Sequence, residues 1–191
     1  MTNTFPALYK ADVLKAIETI DLEKVGEAID LLIGARKEGR HIFVCGNGGS
    51  ASTASHFVCD MVKGASFGRD KRFRIMALTD SLPTITAYSN DVSYDCVFAE
   101  QLKNFAEPGD VVMAISGSGN SPNVLRAMEY AQEIGCRTIA LTGRDGGKLA
   151  PLAEVNIQAT NPHMGRIEDM HMIVMHMICY YFMDAEKAQA Q

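Results

Sequence analysis

Residues 44–60 read V-C-G-N-G-G-S-A-S-T-A-S-H-F-V-C-D, from Val44 to Asp60. The run that feeds them, His41 to Cys45 (H-I-F-V-C), is short, apolar and partly β-branched, the length of a buried strand. Gly46, Gly48 and Gly49 follow at once, with Asn47 among them. Glycines there permit positive φ and leave no Cβ to block a ligand approaching the backbone. From Ala51 to Val62 there is neither Gly nor Pro, so a helix is expected, with Ser50 or Ser52 as its N-cap. Strand, glycine turn and helix start together aim free N–H groups and a positive dipole end at one point, an anion site suited to phosphate. A tight turn with no ligand has the same local signature. The loop has no Lys-Ser/Thr pair after its glycines, and G-x-G-G is not G-x-G-x-x-G, so neither common nucleotide loop fits.

Outward from this stretch, apolar runs and helical patterns alternate. Leu8, Val13, Leu14, Ile17 and Ile20, then Val25, Ala28, Ile29, Leu31, Leu32 and Ile33, recur at helical spacing, giving two N-terminal helices with Asp21 as the cap between them. Strands are expected at Arg74 to Thr79, Val111 to Ser116, Thr138 to Thr142 and Val155 to Ala159, besides the first. Helices are expected at Tyr94 to Phe105, Pro122 to Ile134 and, long and Met-rich, Arg166 to Ala188, with Ser89-Asn90-Asp91 a loop. Continuous apolar strands alternating with helices predict an α/β domain: a five-stranded parallel sheet with flavodoxin-like winding and helices on both faces. One domain is expected over 1–191, an N-terminal helical hairpin in 1–40 and the α/β core with its C-terminal helix in 41–191. Ligands of such sheets sit beyond the carboxyl ends of the strands, where the winding reverses.

Composition excludes several classes. Hydrophobic residues make up 47% and charged residues 21%, which is globular. A net charge of −5 argues against non-specific nucleic-acid binding. No apolar run approaches the ~20 residues of a membrane span, and the first residues lack the apolar core of a signal peptide. Cys45, Cys59, Cys96, Cys136 and Cys179 are odd in number and form no C-x-x-C, a reduced, cytoplasmic pattern of mostly buried thiols.

Three groups of residues carry chemistry. His56 and Asp60, at i and i+4, share one helix face beyond the anion loop, placing a proton donor or acceptor near a phosphate. The same spacing also describes an ordinary surface pair worth a few tenths of a kcal/mol. Ser116, Ser118 and Ser121 form a second polar loop whose hydroxyls and N–H groups can bind phosphate oxygens without a fixed cation, and Ser121-Pro122 reads as a cap followed by proline at the first helical position. The last helix holds Glu168, Asp169, His171 and His176. These are polar groups on an apolar helix, costly unless they face a site or solvent.

The motifs C-G-N-G-G-S, H-F-V-C-D, S-N-D, I-S-G-S-G-N-S, L-T-G-R-D-G-G-K and R-I-E-D-M-H-M-I-V-M-H, in this order and spacing, resemble the sugar isomerase (SIS) fold and within it the phosphoheptose isomerases, from about residue 7 to residue 183. The resemblance implies an aldose–ketose isomerase that converts sedoheptulose 7-phosphate to a heptose 7-phosphate through an enediol. It implies that Asn47, Gly48, Gly49, Ser50, Asn90, Asp91, Ser116, Gly117, Ser118 and Ser121 bind substrate, with Asp60 and Glu168 also touching it. It further implies zinc held by His56, Asp60, Glu168 and His176, with Asp60 as base and His176 as its acid partner, in a homotetramer whose sites lie between subunits. Some relatives instead bind the bacterial replication initiator or sense sugar phosphates in regulators, a non-catalytic alternative.

Three positions depart from the family pattern: Gly117 stands where the family has a hydroxyl residue, Asp60 where it has Glu, and Glu168 where it has Gln. Asp reaches roughly 1 Å less far than Glu. On a continuous helix Glu168 and His176 lie about 12 Å apart along the axis, far for one metal.

Overall fold

A computed structural model describes residues 3–185. Five strands, β1 (His41–Gly46), β2 (Arg74–Ala77), β3 (Val111–Ser116), β4 (Arg137–Gly143) and β5 (Val155–Ala159), form one sheet in the order β2-β1-β3-β4-β5. Every neighbouring pair is parallel. The expected sheet and its winding are therefore present, and the winding reverses between β1 and β3. Gly46 pairs with Ile115 in that register, so the loops leaving β1 and β3 start side by side.

Alternation along the strands divides the interior into two layers. Ile42, Val44, Met113, Ile115, Ile139 and Leu141 pack under helices α2 (Leu22–Glu38), α3 (Gly49–Cys59) and α7 (Met164–Tyr180). Phe43, Cys45, Val112, Ala114 and Ala140 face α5 (Val97–Phe105) and α6 (Pro122–Glu133). Both faces are covered, which is why these strands read as continuous apolar runs rather than alternating ones.

Helix α1 (Phe5–Ile17) lies on α7 rather than on the sheet. Tyr9 Oη donates to Asp169 Oδ2 at 2.6 Å, and Arg166 pairs with Asp12 at 2.7 Å. Asp21 caps α2 as its sequence suggests, accepting from the N–H groups of Glu23 and Lys24. Four of the five cysteines are buried and none forms a disulfide. Burial pushes the Cys45 thiol up to about 12, so it is inert at neutral pH.

Four local features differ from the sequence reading. Residues 89–91 close helix α4 (Leu82–Asp91) instead of forming a loop. That helix buries none of its residues fully; only Ile85 and Tyr88 pack, partly buried, on the second core layer, too short an apolar pattern to mark it. The N-cap of α3 is Gly48, at φ 52 and ψ −119, rather than Ser50 or Ser52. Beyond Cys59 the helix loosens into a π-helical turn, Asp60–Gly64, in which Ala65 N–H reaches back to Asp60 C=O. Finally, α7 also relaxes into a π-helical turn, Tyr181–Ala185, and its expected continuation to residue 188 passes outside the described residues.

Candidate active site

The loop after β1 is shaped by exclusion. A Cβ on Gly46 would lie 2.8 Å from Ser50 Cβ, so the first turn of α3 sits directly on the strand end. Gly49 and Ser50 open the helix with N–H groups that have no intrahelical acceptor, at the positive end of the dipole. Asn47 is held above them in a reciprocal amide pair with Asn123, at 2.8 and 2.9 Å, and its Oδ1 also accepts from Tyr94 Oη at 2.8 Å. Asn123 is buried and belongs to the first turn of α6, so this pair ties the two loops together.

The loop after β3 gathers three hydroxyls. Ser116 Oγ lies 3.4 Å from Ser118 Oγ and 3.3 Å from Ser121 Oγ. Ser121 caps α6 with Pro122 behind it as expected, yet its side chain makes no capping hydrogen bond and stays turned to Ser116. At Gly117 a Cβ would meet Met164 Sδ at 2.6 Å, so a larger residue there would displace the partly exposed Met164 side chain. The loop after β4 lies over this one. At Gly119, with φ +62, a Cβ would come within 2.1 Å of Gly146 C=O, and Leu149 N–H donates to Gly119 C=O.

Helix α7 crosses both loops with its first turns. Glu168 rests on the start of α3, its Oε1 2.6 Å from where a Gly49 Cβ would be. One turn on, buried His171 places Nε2 2.9 Å from Thr142 C=O at the end of β4. The contact requires Nε2–H as donor and leaves Nδ1 buried without a partner. Burial holds the His171 pKa below its ordinary value, with the Thr142 bond opposing.

Further along the same two helices, His56, Asp60 and His176 converge. His56 Nε2 lies 3.3 Å from Asp60 Oδ2 and 3.2 Å from His176 Nε2, while His176 Nε2 is 4.0 Å from Asp60 Oδ2. Among the described residues this is the group whose ligand atoms could hold one metal ion. Four ligands at 2.0–2.1 Å in a tetrahedron are about 3.3 Å apart, so the two shorter spacings match a zinc-sized site. The group is open, with the His56 side chain 48% exposed and that of His176 42%.

A family model described as the SIS domain matches residues 9–143. A probable phosphoheptose isomerase from Thermoplasma volcanium is 44% identical over 169 residues, spanning 86% of this chain and 84% of that protein. The chain belongs to the phosphoheptose isomerase family. The phosphoheptose isomerase of Aliarcobacter butzleri is 39% identical, over 90% of this chain and 89% of that one. The solved phosphoheptose isomerase from Neisseria gonorrhoeae superposes with a TM-score of 0.85 at 35% identity, over 92% and 95% of the two chains. Family membership makes the protein an isomerase.

The expected phosphoheptose isomerase residues divide into groups. Asn47, Gly48, Gly49 and Ser50 line one loop, and Ser116, Gly117, Ser118 and Ser121 the next. His56, Asp60 and His176 meet; Glu168 does not join them and sits instead at the α3 start. Asn90 and Asp91 end α4, where Asn90 Nδ2 donates to Asp91 Oδ1 at 2.8 Å, and the described hydrogen bonds link neither to the two loops. Asn123 and Tyr94, which fix Asn47, are missed by sequence reasoning. A polar residue in the first turn of a helix is ordinary, and nothing local to Tyr94 marks its reach across 47 positions.

Proposed function

We propose that the protein interconverts the ketose and aldose forms of a phosphorylated sugar, taking sedoheptulose 7-phosphate to D-glycero-D-manno-heptose 7-phosphate. The observation that carries this reading is the pairing of two serine- and glycine-rich loops at a sheet switch point with a His–Asp–His group on the helices that frame them. The phosphate is bound by the hydroxyls of Ser116, Ser118 and Ser121 and the α6 N-terminus. The sugar chain runs along Asn47 to Ser50 past Glu168, with Asn90 and Asp91 as further contacts.

Asp60 removes a proton from C1 of the ketose while His176 protonates the C2 carbonyl oxygen, giving a 1,2-enediol. Return of a proton to C2 and loss of the O1 proton yield the aldose. His56, Asp60 and His176 would hold zinc, with Glu168 acting from the substrate side rather than as their direct neighbour. Such an ion supplies Lewis-acid polarisation of the carbonyl oxygen.

The chain acts as a homotetramer, with sites completed between subunits, and works in the cytoplasm. No described helix is long and apolar enough to cross a membrane. The route is tested by running the reaction in D2O. Proton transfer through an enediol admits solvent deuterium to C2 of the aldose and, on reversal, to C1 of the ketose; a sugar pool still free of deuterium after many turnovers at equilibrium would point to a hydride shift and remove Asp60 from its role.

A further inference from the structure

Beside the serine cradle lies a cavity of about 630 Å³ whose walls include Ser118, Asn120, Arg144, Asp145 and Asn161. Arg144 is the one non-glycine residue, among those described, with positive φ, at 53°. Its backbone is fixed from both sides: its N–H donates to Ala159 C=O at 3.1 Å, and its C=O accepts from Gln158 Nε2 at 2.8 Å. A Cβ on the preceding Gly143 would meet Gly117 C=O at 2.5 Å, so the chain enters this turn in close packing against the serine loop. The exposed guanidinium so presented makes no hydrogen bond or ion pair with a described residue. The acid on the same wall, Asp145, is also exposed; its Oδ1 accepts Gly147 N–H at 3.2 Å in a local turn.

A left-handed arginine is costly, and backbone strain of this kind is kept where the side chain has a task. The serine cradle, for its part, has hydroxyls and a helix dipole but no cation of its own. Glu168 stands at the same end of the sheet, against the start of α3, in a chain of net charge −5. A local positive charge would strengthen the hold of hydroxyls and N–H groups on a phosphate dianion, and a guanidinium forms paired, charge-assisted bonds with phosphate oxygens.

We propose that Arg144 is the cationic partner of the substrate phosphate, reaching the cradle from the Ser118 side. The proposal rests on the reading of Ser116 to Ser121 as the phosphate loop. It is tested on the full chain by measuring KM for sedoheptulose 7-phosphate and the calorimetric Kd of inorganic phosphate. The variants are Arg144→Gln, Arg144→Lys, Arg144→Gly, Ser121→Ala and Lys148→Gln.

Arg144→Gln should raise both constants about tenfold, the size of one charge-assisted contact, with kcat within about twofold. Arg144→Lys should recover part of that loss. Arg144→Gly should weaken phosphate equally while keeping or raising the melting temperature, because glycine relieves the φ. Exposed Lys148, whose N–H bonds Asn120 in the same loop, should matter little. If Arg144→Gln matches wild type while Ser121→Ala raises KM, Arg144 is not the partner and the phosphate loop stands. If neither variant moves KM or Kd, the phosphate-loop reading falls with it. An effect of Lys148→Gln equal to that of Arg144→Gln would reduce Arg144 to general surface charge and overturn the proposal.

Discussion

Asp60 sits where α3 gives way to a π-helical turn, with His56 at 3.3 Å and His176 at 4.0 Å. A base there must be a carboxylate, since an amide of the same shape cannot accept a proton at neutral pH. Asp60→Asn should therefore leave the fold intact and lower kcat about 10²- to 10⁴-fold. Asp60→Glu separates two origins of the shorter side chain. If Asp is matched to this substrate, the extra methylene misplaces the carboxylate and activity falls, because about 1 Å of misplacement can cost about 10²-fold. If it is a shortened version of the usual family site, activity on sedoheptulose 7-phosphate rises. Wild-type kinetics from both variants would remove Asp60 as the base. Glu168, the other departure from the family pattern, lies against Gly49 and not against the His–Asp–His group. The two carboxylates are thus kept apart, which avoids the repulsion of like charges sharing one site.

At the scale of elements, the loops are held as a unit by packing that leaves no room for side chains at Gly46, on Ser50, and at Gly119, on Gly146. His171 is the buried polar link between α7 and the end of β4. Its pKa is depressed in the fold, so the unfolded chain binds a proton more readily. Stability is then fully present above the ordinary histidine value of about 6.5 and is lost as pH falls below it. Melting temperatures from pH 7.5 to 5 should fall more steeply for wild type than for His171→Gln, and parallel curves would contradict the assignment.

The central strands and the glycine and serine loops were legible in the sequence because each has a local cause: apolar runs buried on both faces in β1, β3 and β4, and turns that need small residues. Helix α4 was not, since it buries none of its residues fully, and neither was the Gly48 cap, because glycine offers no side-chain signal to compete with the nearby serines. The Asn47–Asn123–Tyr94 cluster, formed by residues up to 76 positions apart, depends on tertiary packing alone.

At the scale of the molecule, α1 buries Ala16 yet leaves Phe5, Leu8 and Leu14 more than half exposed, with Leu22 at the start of α2 likewise bare. The His–Asp–His group is also open on one side. Both features fit a chain that completes itself in an assembly, since exposed apolar surface at this density marks interaction surfaces. Light scattering at micromolar concentration should give about four times the chain mass of 20.8 kDa; the monomer value would rule out the tetramer. The central claim is the reaction itself. Purified protein, stripped of metal and then assayed with and without added zinc, is incubated with sedoheptulose 7-phosphate while the ketose and aldose signals are followed. Loss of the ketose signal with matching growth of an aldose 7-phosphate to a fixed equilibrium ratio is the predicted result; an unchanged ketose signal under both conditions would contradict the account.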